Sequence, residues 1–372
     1  MQLVAIEIVQ FRNLRQVLVT PHPRMNILAG ANGQGKTNFL EAVFLLGTLR
    51  AFRGGGIDEL VRFGESEACV RGRVSRASLE RLFEVALRGG RVRQKRARID
   101  GKAVRAAGEY FGGFNVVLFA PEDLRLVRGA PSERRRFLDR AVSNAIPQFL
   151  PAAQTYDRVL RSRNALLRDH PRGNTEHEEL LAVFDEQLAT AGAAVVRSRR
   201  KFLAALLPLV QEAHERITRS DLPLHLEYDS KLIGGDGELE AELLTSLQAA
   251  RRRDLERGFT GPGPHGDDLE IRLDGRRARL HASQGQVRAI VLALKVAEIE
   301  HLTHVLGEAP ILLLDDVSSE LDSERTAYLF EFITGLGCQS YLTTTMPGQL
   351  PLPAQRADFE VHSGEIRSRV TS

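Results

Sequence analysis

The octet Gly30-Ala31-Asn32-Gly33-Gln34-Gly35-Lys36-Thr37 fits the pattern G-x-x-x-x-G-K-[ST]. Glycines at 30, 33 and 35 permit positive φ and close approach, so successive backbone N–H groups can ring a phosphate at a helix N-terminus. Lys36 then reaches the β and γ phosphates of a nucleotide, Thr37 offers its hydroxyl to Mg²⁺, and Asn38 completes the candidate set. A second group of carboxylates closes Pro310-Ile-Leu-Leu-Leu-Asp315-Asp316. Asp315 is placed to hold Mg²⁺ beside Thr37, directly or through water, and Asp316 to orient an attacking water on the γ-phosphate side. On its own, this segment also reads as a buried strand ending in an Asp-initiated turn.

Ser283-Gln284-Gly285-Gln286 is the third constellation. Val287, Ile290, Val291, Leu294 and Ala297 follow at helical spacing, with Ser283 suited to the cap, so the helix start offers another anion site. One triphosphate has no use for two such sites within a chain. A homodimer with two ATP molecules sandwiched between subunits resolves this; the bland alternative is a capped helix without a ligand.

These groups must be carried on particular elements. MNILAG before the octet reads as a strand and NFLEAVFLLG after it as a helix, the context the octet requires. The apolar run before Asp315 reads as a strand buried on both faces of a parallel sheet, whose carboxyl ends gather ligands. Residues 66 to 105 read as strands turning at Gly89-Gly90 and Asp100-Gly101, residues from Ser132 onward as helices, and GPGPHGDD at 261 to 268 as a re-entry loop. The predicted fold class is α/β: a discontinuous head from residues 1–120 and 270–372, and an inserted, mostly helical arm from 121–269.

With 372 residues, 43% hydrophobic and 27% charged, the chain can bury a sizeable core. Cys69 and Cys338 share no metal-type spacing with histidines and suit reduced thiols in a cytoplasm. No segment reads as a signal peptide or a membrane span. Net charge is only +3, so the distribution of charge matters more than its total. Residues 88 to 102 carry seven basic side chains against one acid. Strand alternation places Arg91, Arg93 and Lys95 on one face, and with Arg96 and Arg98 they form a candidate DNA surface. Six to ten phosphate contacts would cost about 10³ to 10⁵-fold in affinity between 50 and 200 mM salt. A basic strand also serves as an edge guarded against aggregation. Arg134 to Arg136, Arg197 with Arg199 and Arg200, and Arg251 to Arg253 compete for the DNA role. Aromatics at 6% favour duplex backbone over a stacking platform. His301 and His304, three apart, have metal-binding spacing but no third ligand in view.

GANGQGKTNFLEA, GPHGDDL, SQGQVRAIVLALKVAE, ILLLDDVSSELD and the opening QFRNL together resemble the RecF family of bacterial recombination mediators, relatives of chromosome-maintenance and ABC-type ATPases. The resemblance implies an ABC-type P-loop ATPase head, a mixed sheet flanked by helices. It makes Gly30 to Thr37 the Walker A loop, Asp315 and Asp316 the end of Walker B, Ser283 to Gln286 a signature contacting ATP in trans, and Ser319 to Asp322 a D-loop at the dimer interface. It implies a slow ATPase that dimerises on ATP, clamps gapped or junction DNA, and helps RecO and RecR load RecA. Gly266 stands where the family usually carries a basic residue, and Ala51 where a serine is common. The glutamine of a typical Q-loop has no assigned place, Phe119 to Leu124 standing at that position without one; the histidine of an ABC switch is missing, and Thr343 to Thr345 is the nearest candidate. A transporter motor would carry a membrane-coupling surface and a shorter insertion. A P-loop kinase would need no signature, and a chromosome-bridging ATPase would need a long coiled coil that is missing here.

Overall fold

The structure, a computed structural model, describes residues 1–104, 110, 112–169, 175–317, 321–350 and 352–369. The strands in chain order are β1 (Gln2–Phe11), β2 (Leu14–Val19), β3 (Met25–Ala29), β4 (Glu67–Arg76), β5 (Leu79–Arg88), β6 (Gln94–Ile99), β7 (Lys102–Ala103) and β8 (Val116–Phe119). They continue with β9 (Leu224–Asp229), β10 (Asp268–Leu273), β11 (Arg276–Arg277), β12 (Ile311–Leu314), β13 (Ser340–Thr344), β14 (Arg356–His362) and β15 (Glu365–Arg369). The chain divides into two compact units, Met1–Leu124 with Val291–Ser372, and Arg125–Ile290. Residues 270–290, expected with the head, group with the second unit in this division; there β10 is laddered along its length to β9.

Two six-stranded sheets build the first unit. One is antiparallel, in the order β2-β1-β4-β5-β6-β7; the other runs β15-β14-β3-β13-β12-β8, parallel throughout except for β15. The parallel strands are short, near-continuous apolar runs: all of β8 and β12 is buried, as both faces are covered. The antiparallel strands alternate instead. In β4, Ala68, Val70, Gly72 and Val74 are buried while Arg71 and Arg73 are exposed. The helix Lys36–Thr48 contacts strands of both sheets and buries eleven of its thirteen residues.

The hairpins follow their turn chemistry only in part. Asp100 and Gly101 both take left-handed φ, 51° and 76°, as a two-residue turn requires. Gly89-Gly90 does not close such a turn. Strand β6 starts only at Gln94, so Arg91 and Arg93 sit in a five-residue loop and share no strand face with Lys95, a correction to the expected alternation. The cause is a contact distant in sequence: the Asp58 carboxylate accepts from Gly90 N at 2.8 Å and Arg93 Nε at 2.6 Å, holding the loop off the ladder.

The second unit holds the helices Pro131–Ala145, Phe149–Asp169, Thr175–Thr218 and Leu239–Arg257, with a small sheet ordered β11-β10-β9. Its interior carries charge. Arg163 is fully buried and donates to Asp185 at 2.8 Å, to Asp254 at 2.8 Å and to Thr260 at 2.8 Å. The 261–268 loop is clamped as well: Arg134 grips Asp268 through two 2.7 Å bonds, and Arg199 donates to the Pro264 carbonyl at 2.8 Å.

Candidate nucleotide site

In the parallel sheet β13 lies between β3 and β12, with Thr344 opposite Ala29 and Leu342 opposite Leu314. The carboxyl ends of the three strands therefore share one edge. Residues 30–35, Asp315 with Asp316, and the end of β13 meet there.

The loop's glycines do different work. A Cβ on Gly30 would sit 2.3 Å from the Val361 carbonyl oxygen, so close approach to β14 excludes a side chain. Gly35 precedes the helix at φ 116°, a conformation L side chains rarely adopt, and a Cβ there would lie 2.8 Å from Asn13 Oδ1. Gly33 has left-handed φ, 77°, in open space. Ala31, Asn32 and Gly33 are exposed. Gln34 is tied to the β14–β15 turn, its carbonyl accepting from Gly364 N at 2.9 Å and its Oε1 from Ser363 N at 2.7 Å.

Lys36 Nζ donates to the carbonyls of Gly30 at 2.7 Å and Ala31 at 2.8 Å. Burial pushes its pKa below the ordinary lysine value, opposed by the nearby carboxylates of Asp316 and Asp315. Thr37 Oγ1 donates to Asp315 Oδ1 at 2.9 Å, joining residues 278 positions apart. The same oxygen accepts from Thr343 Oγ1 at 2.7 Å, and Thr343 Oγ1 accepts from Asp316 N at 3.0 Å. Asp315 is buried, and burial raises its pKa against the hydrogen bonds from Thr343 and Thr37. Asp316 holds φ at 47°. Thr37 and Asp315 thus present two hard oxygens together, the donor type Mg²⁺ takes.

A supporting shell surrounds these groups. Asn38 Nδ2 donates to Asn13 Oδ1 at 2.7 Å, Asn13 Nδ2 donates to the Gln34 carbonyl at 3.1 Å, and Asn38 Oδ1 accepts from Arg53. Glu41, one turn along the helix and fully buried, pairs with Arg12 at 2.9 Å and Arg53 at 2.9 Å. Asn13, Glu41, Arg12 and Arg53 have no role legible in the sequence, although Arg12 and Asn13 stand in QFRNL, Glu41 in GANGQGKTNFLEA and Arg53 two residues after Ala51. Thr343, legible in the sequence only as a candidate for the switch position, holds both aspartates of the pair through its hydroxyl.

The other predicted groups have local settings of their own. Ser283 is exposed and forms a reciprocal cap: Gln286 N donates to Ser283 Oγ at 3.2 Å and Ser283 N to Gln286 Oε1 at 2.8 Å. Gln284 is exposed and Gly285 half-buried at the start of the helix Gln284–Leu306. Of the expected D-loop, Ser319 and Glu320 lie outside the described residues, while Asp322 caps the helix Ser323–Leu336, accepting from Arg325 N at 3.0 Å. In the Phe119 to Leu124 segment, Phe119 O accepts from Asp315 N at 2.8 Å. Of the basic hairpin, Arg93 pairs with Asp58 at 2.6 Å, Arg98 pairs with Glu84 at 3.2 Å, and Lys95 donates to the Leu49 carbonyl; Arg91 and Arg96 are exposed. His301 and His304 belong to no group of three metal-ligating side chains among the described residues. Nor is any described helix long and apolar enough to cross a membrane.

Residues 2–353 match the family model of the RecF/RecN/SMC N-terminal domain. The DNA replication and repair protein RecF of Myxococcus xanthus is 46% identical over 99% of this chain and 98% of its own length; that of Geobacter sulfurreducens is 42% identical over 98% and 99%. A solved structure of the recombination mediator protein RecF with ATP, from the RecFOR pathway, superposes with a TM-score of 0.90 at 32% identity, over 99% of this chain and 97% of that one. An SMC head bound to the C-terminal winged-helix domain of ScpA superposes at TM-score 0.57 and 15% identity, a likeness of fold alone.

Proposed function

The chain belongs to the RecF family, and from that membership we propose that it is an ATP-driven switch of recombinational DNA repair. The observation that carries the reading is the 2.9 Å bond from Thr37 to Asp315, because it joins the two segments a Mg²⁺-nucleotide needs. The unit containing both acts as the ATPase head and the helical unit as the arm. Gly30 to Asn38 cradle ATP, Thr37 and Asp315 hold Mg²⁺, and Lys36 exchanges its two carbonyl partners for phosphate oxygens. The bound metal supplies charge neutralisation at the phosphates. Asp316 orients the attacking water, with one methylene less reach than a glutamate, so hydrolysis is slow.

Ser283 to Gln286 contact the ATP of a second copy, which makes the dimer ATP-dependent. That dimer clamps gapped or junction DNA in the cytoplasm, works with RecR and RecO toward loading RecA, and opens on hydrolysis. Sedimentation with Mg-ATP and a gapped duplex tests this, comparing the wild type with Lys36→Met and Ser283→Arg. Wild type should form a DNA-holding dimer, Lys36→Met should not bind ATP, and Ser283→Arg should bind ATP as a monomer. A wild type that remains monomeric with ATP and ignores DNA sinks the proposal.

A further inference from the structure

Partners separate the arginine clusters that compete for a polyanion. Arg134, Arg199 and Arg251 are held at 2.7 Å by Asp268, Asp139 and Asp185, and the hairpin's Arg93 and Arg98 are held by Asp58 and Glu84. A guanidinium so engaged must give up a contact before it neutralises a phosphate. Exposed arginines with no ion-pair or hydrogen-bond partner among the described residues remain at Arg91 and Arg96 of the hairpin and at Arg136; three more are Arg168, Arg253 and Arg257.

The last three converge where the end of the helix Leu239–Arg257 packs on the end of the helix Phe149–Asp169. Buried Arg163, through Asp254 and Thr260, locks that junction, and Thr260 N and Oγ1 both donate to Asn164 Oδ1, at 2.8 and 2.7 Å. Gly258 ends the helix at left-handed φ, 73°, and Arg168 Cγ lies 3.2 Å from where a Gly258 Cβ would be. The Arg168 stem thus crosses the chain beside Arg257, and Arg253 stands one turn earlier on Arg257's face. Phe259, 49% exposed, sits between Gly258 and the anchored Thr260. Of the exposed acids next to these arginines in sequence, Glu256 is engaged by Arg252 at 3.5 Å and Asp169 follows Arg168.

We propose that this patch of Arg168, Arg253 and Arg257 takes the phosphodiester backbone of duplex DNA, with Phe259 lying against a deoxyribose. The inference deepens the DNA-binding reading above and depends on it. Rigidity favours the assignment: the side chains hang from a junction fixed by buried ion pairs, so little backbone order is lost on binding.

The test is a salt titration of DNA binding by full-length protein with Mg-ATP and a duplex of about 30 base pairs, followed by anisotropy. Each phosphate contact contributes about 0.9 to the slope of log K against log salt, so Arg168→Gln/Arg253→Gln/Arg257→Gln should lower the slope by about 2.7. Phe259→Ala should weaken binding several-fold at an unchanged slope. A control carrying Arg91→Gln and Arg96→Gln should keep the wild-type slope. The patch is refuted by a triple variant with the wild-type slope, or by a control that takes the loss instead. A wild type that binds no duplex at about 50 mM salt overturns the DNA reading itself. The substituted arginines are exposed, and melting curves confirm that the variants fold.

Discussion

At the scale of single residues, the site turns on one carboxylate oxygen shared by two hydroxyls. Thr343→Val removes a donor to Asp315 and the acceptor for Asp316 N, leaving a buried carboxylate less satisfied. The expected cost is about 1–3 kcal/mol of stability, read by urea unfolding, with a larger loss in ATP turnover than in ATP affinity. Asp315 adds a pH dependence whose sign is fixed by burial. Its folded pKa lies above the ordinary value of 3.8, so between the two the native state binds more protons than the unfolded chain. Stability therefore falls as pH rises through that window. Asp315→Asn should accordingly melt higher than wild type at neutral pH without nucleotide, while losing Mg²⁺-dependent ATP binding. A lower melting point would show that the hydrogen bonds outweigh desolvation. The identities of Lys36, Thr37 and Asp315 were legible because each is bound to a local pattern of strand, loop and helix. Thr343 was not: its partner is 28 positions away, and only the β12–β13 register brings them together.

Among the elements, the glycine loop separates two kinds of constraint. Gly33→Ala meets no neighbour and should cost only the left-handed backbone penalty, about 1–2 kcal/mol. Gly30→Ala must displace the β14 backbone, because its Cβ would meet the Val361 oxygen at 2.3 Å, so it should be the more destabilising of the two and disturb ATP binding further. Equal melting points for the two variants would contradict that ranking. In the arm, the clamp on the 261–268 loop passes through a neutral histidine. His265 Nε2 donates to the Thr260 carbonyl at 3.0 Å, which leaves Nδ1 to accept from the Tyr156 hydroxyl at 2.6 Å. Burial depresses its pKa below 6.5, so the unfolded chain takes up the proton first and stability drops as pH falls below about 6.5. His265→Gln should flatten that acid slope in urea unfolding measured from pH 7 to 5. The strands and the helical arm were readable from period; the hairpin loop was not, since the Asp58 carboxylate that captures it lies more than thirty residues away in sequence.

For the whole molecule, 45 of the 51 basic side chains are arginine, yet the net charge is only +3. Many of these arginines tie helices and loops together, as Arg163 and Arg199 do, so Arg content alone predicts neither partner nor surface. The sequence could supply the order of motifs along the chain, but not which arginines are spent internally, because that depends on long-range packing. Assembly has its own thermodynamic signature. A ligand at a hundredfold excess over its Kd stabilises a single site by about 2.7 kcal/mol, whatever the protein concentration. If ATP instead bridges two copies through Ser283, the melting temperature with Mg-ATP must also rise with protein concentration, because dimer formation obeys mass action. Ser283→Arg should keep the first increment and lose the concentration dependence, since Ser283 is exposed at a helix start and outside the Thr37–Asp315 pair. Melting curves over a hundredfold range of protein concentration distinguish these cases. Parallel lines for wild type and Ser283→Arg would mean that nucleotide is bound within one subunit alone, and that the capped helix has no ligand across an interface.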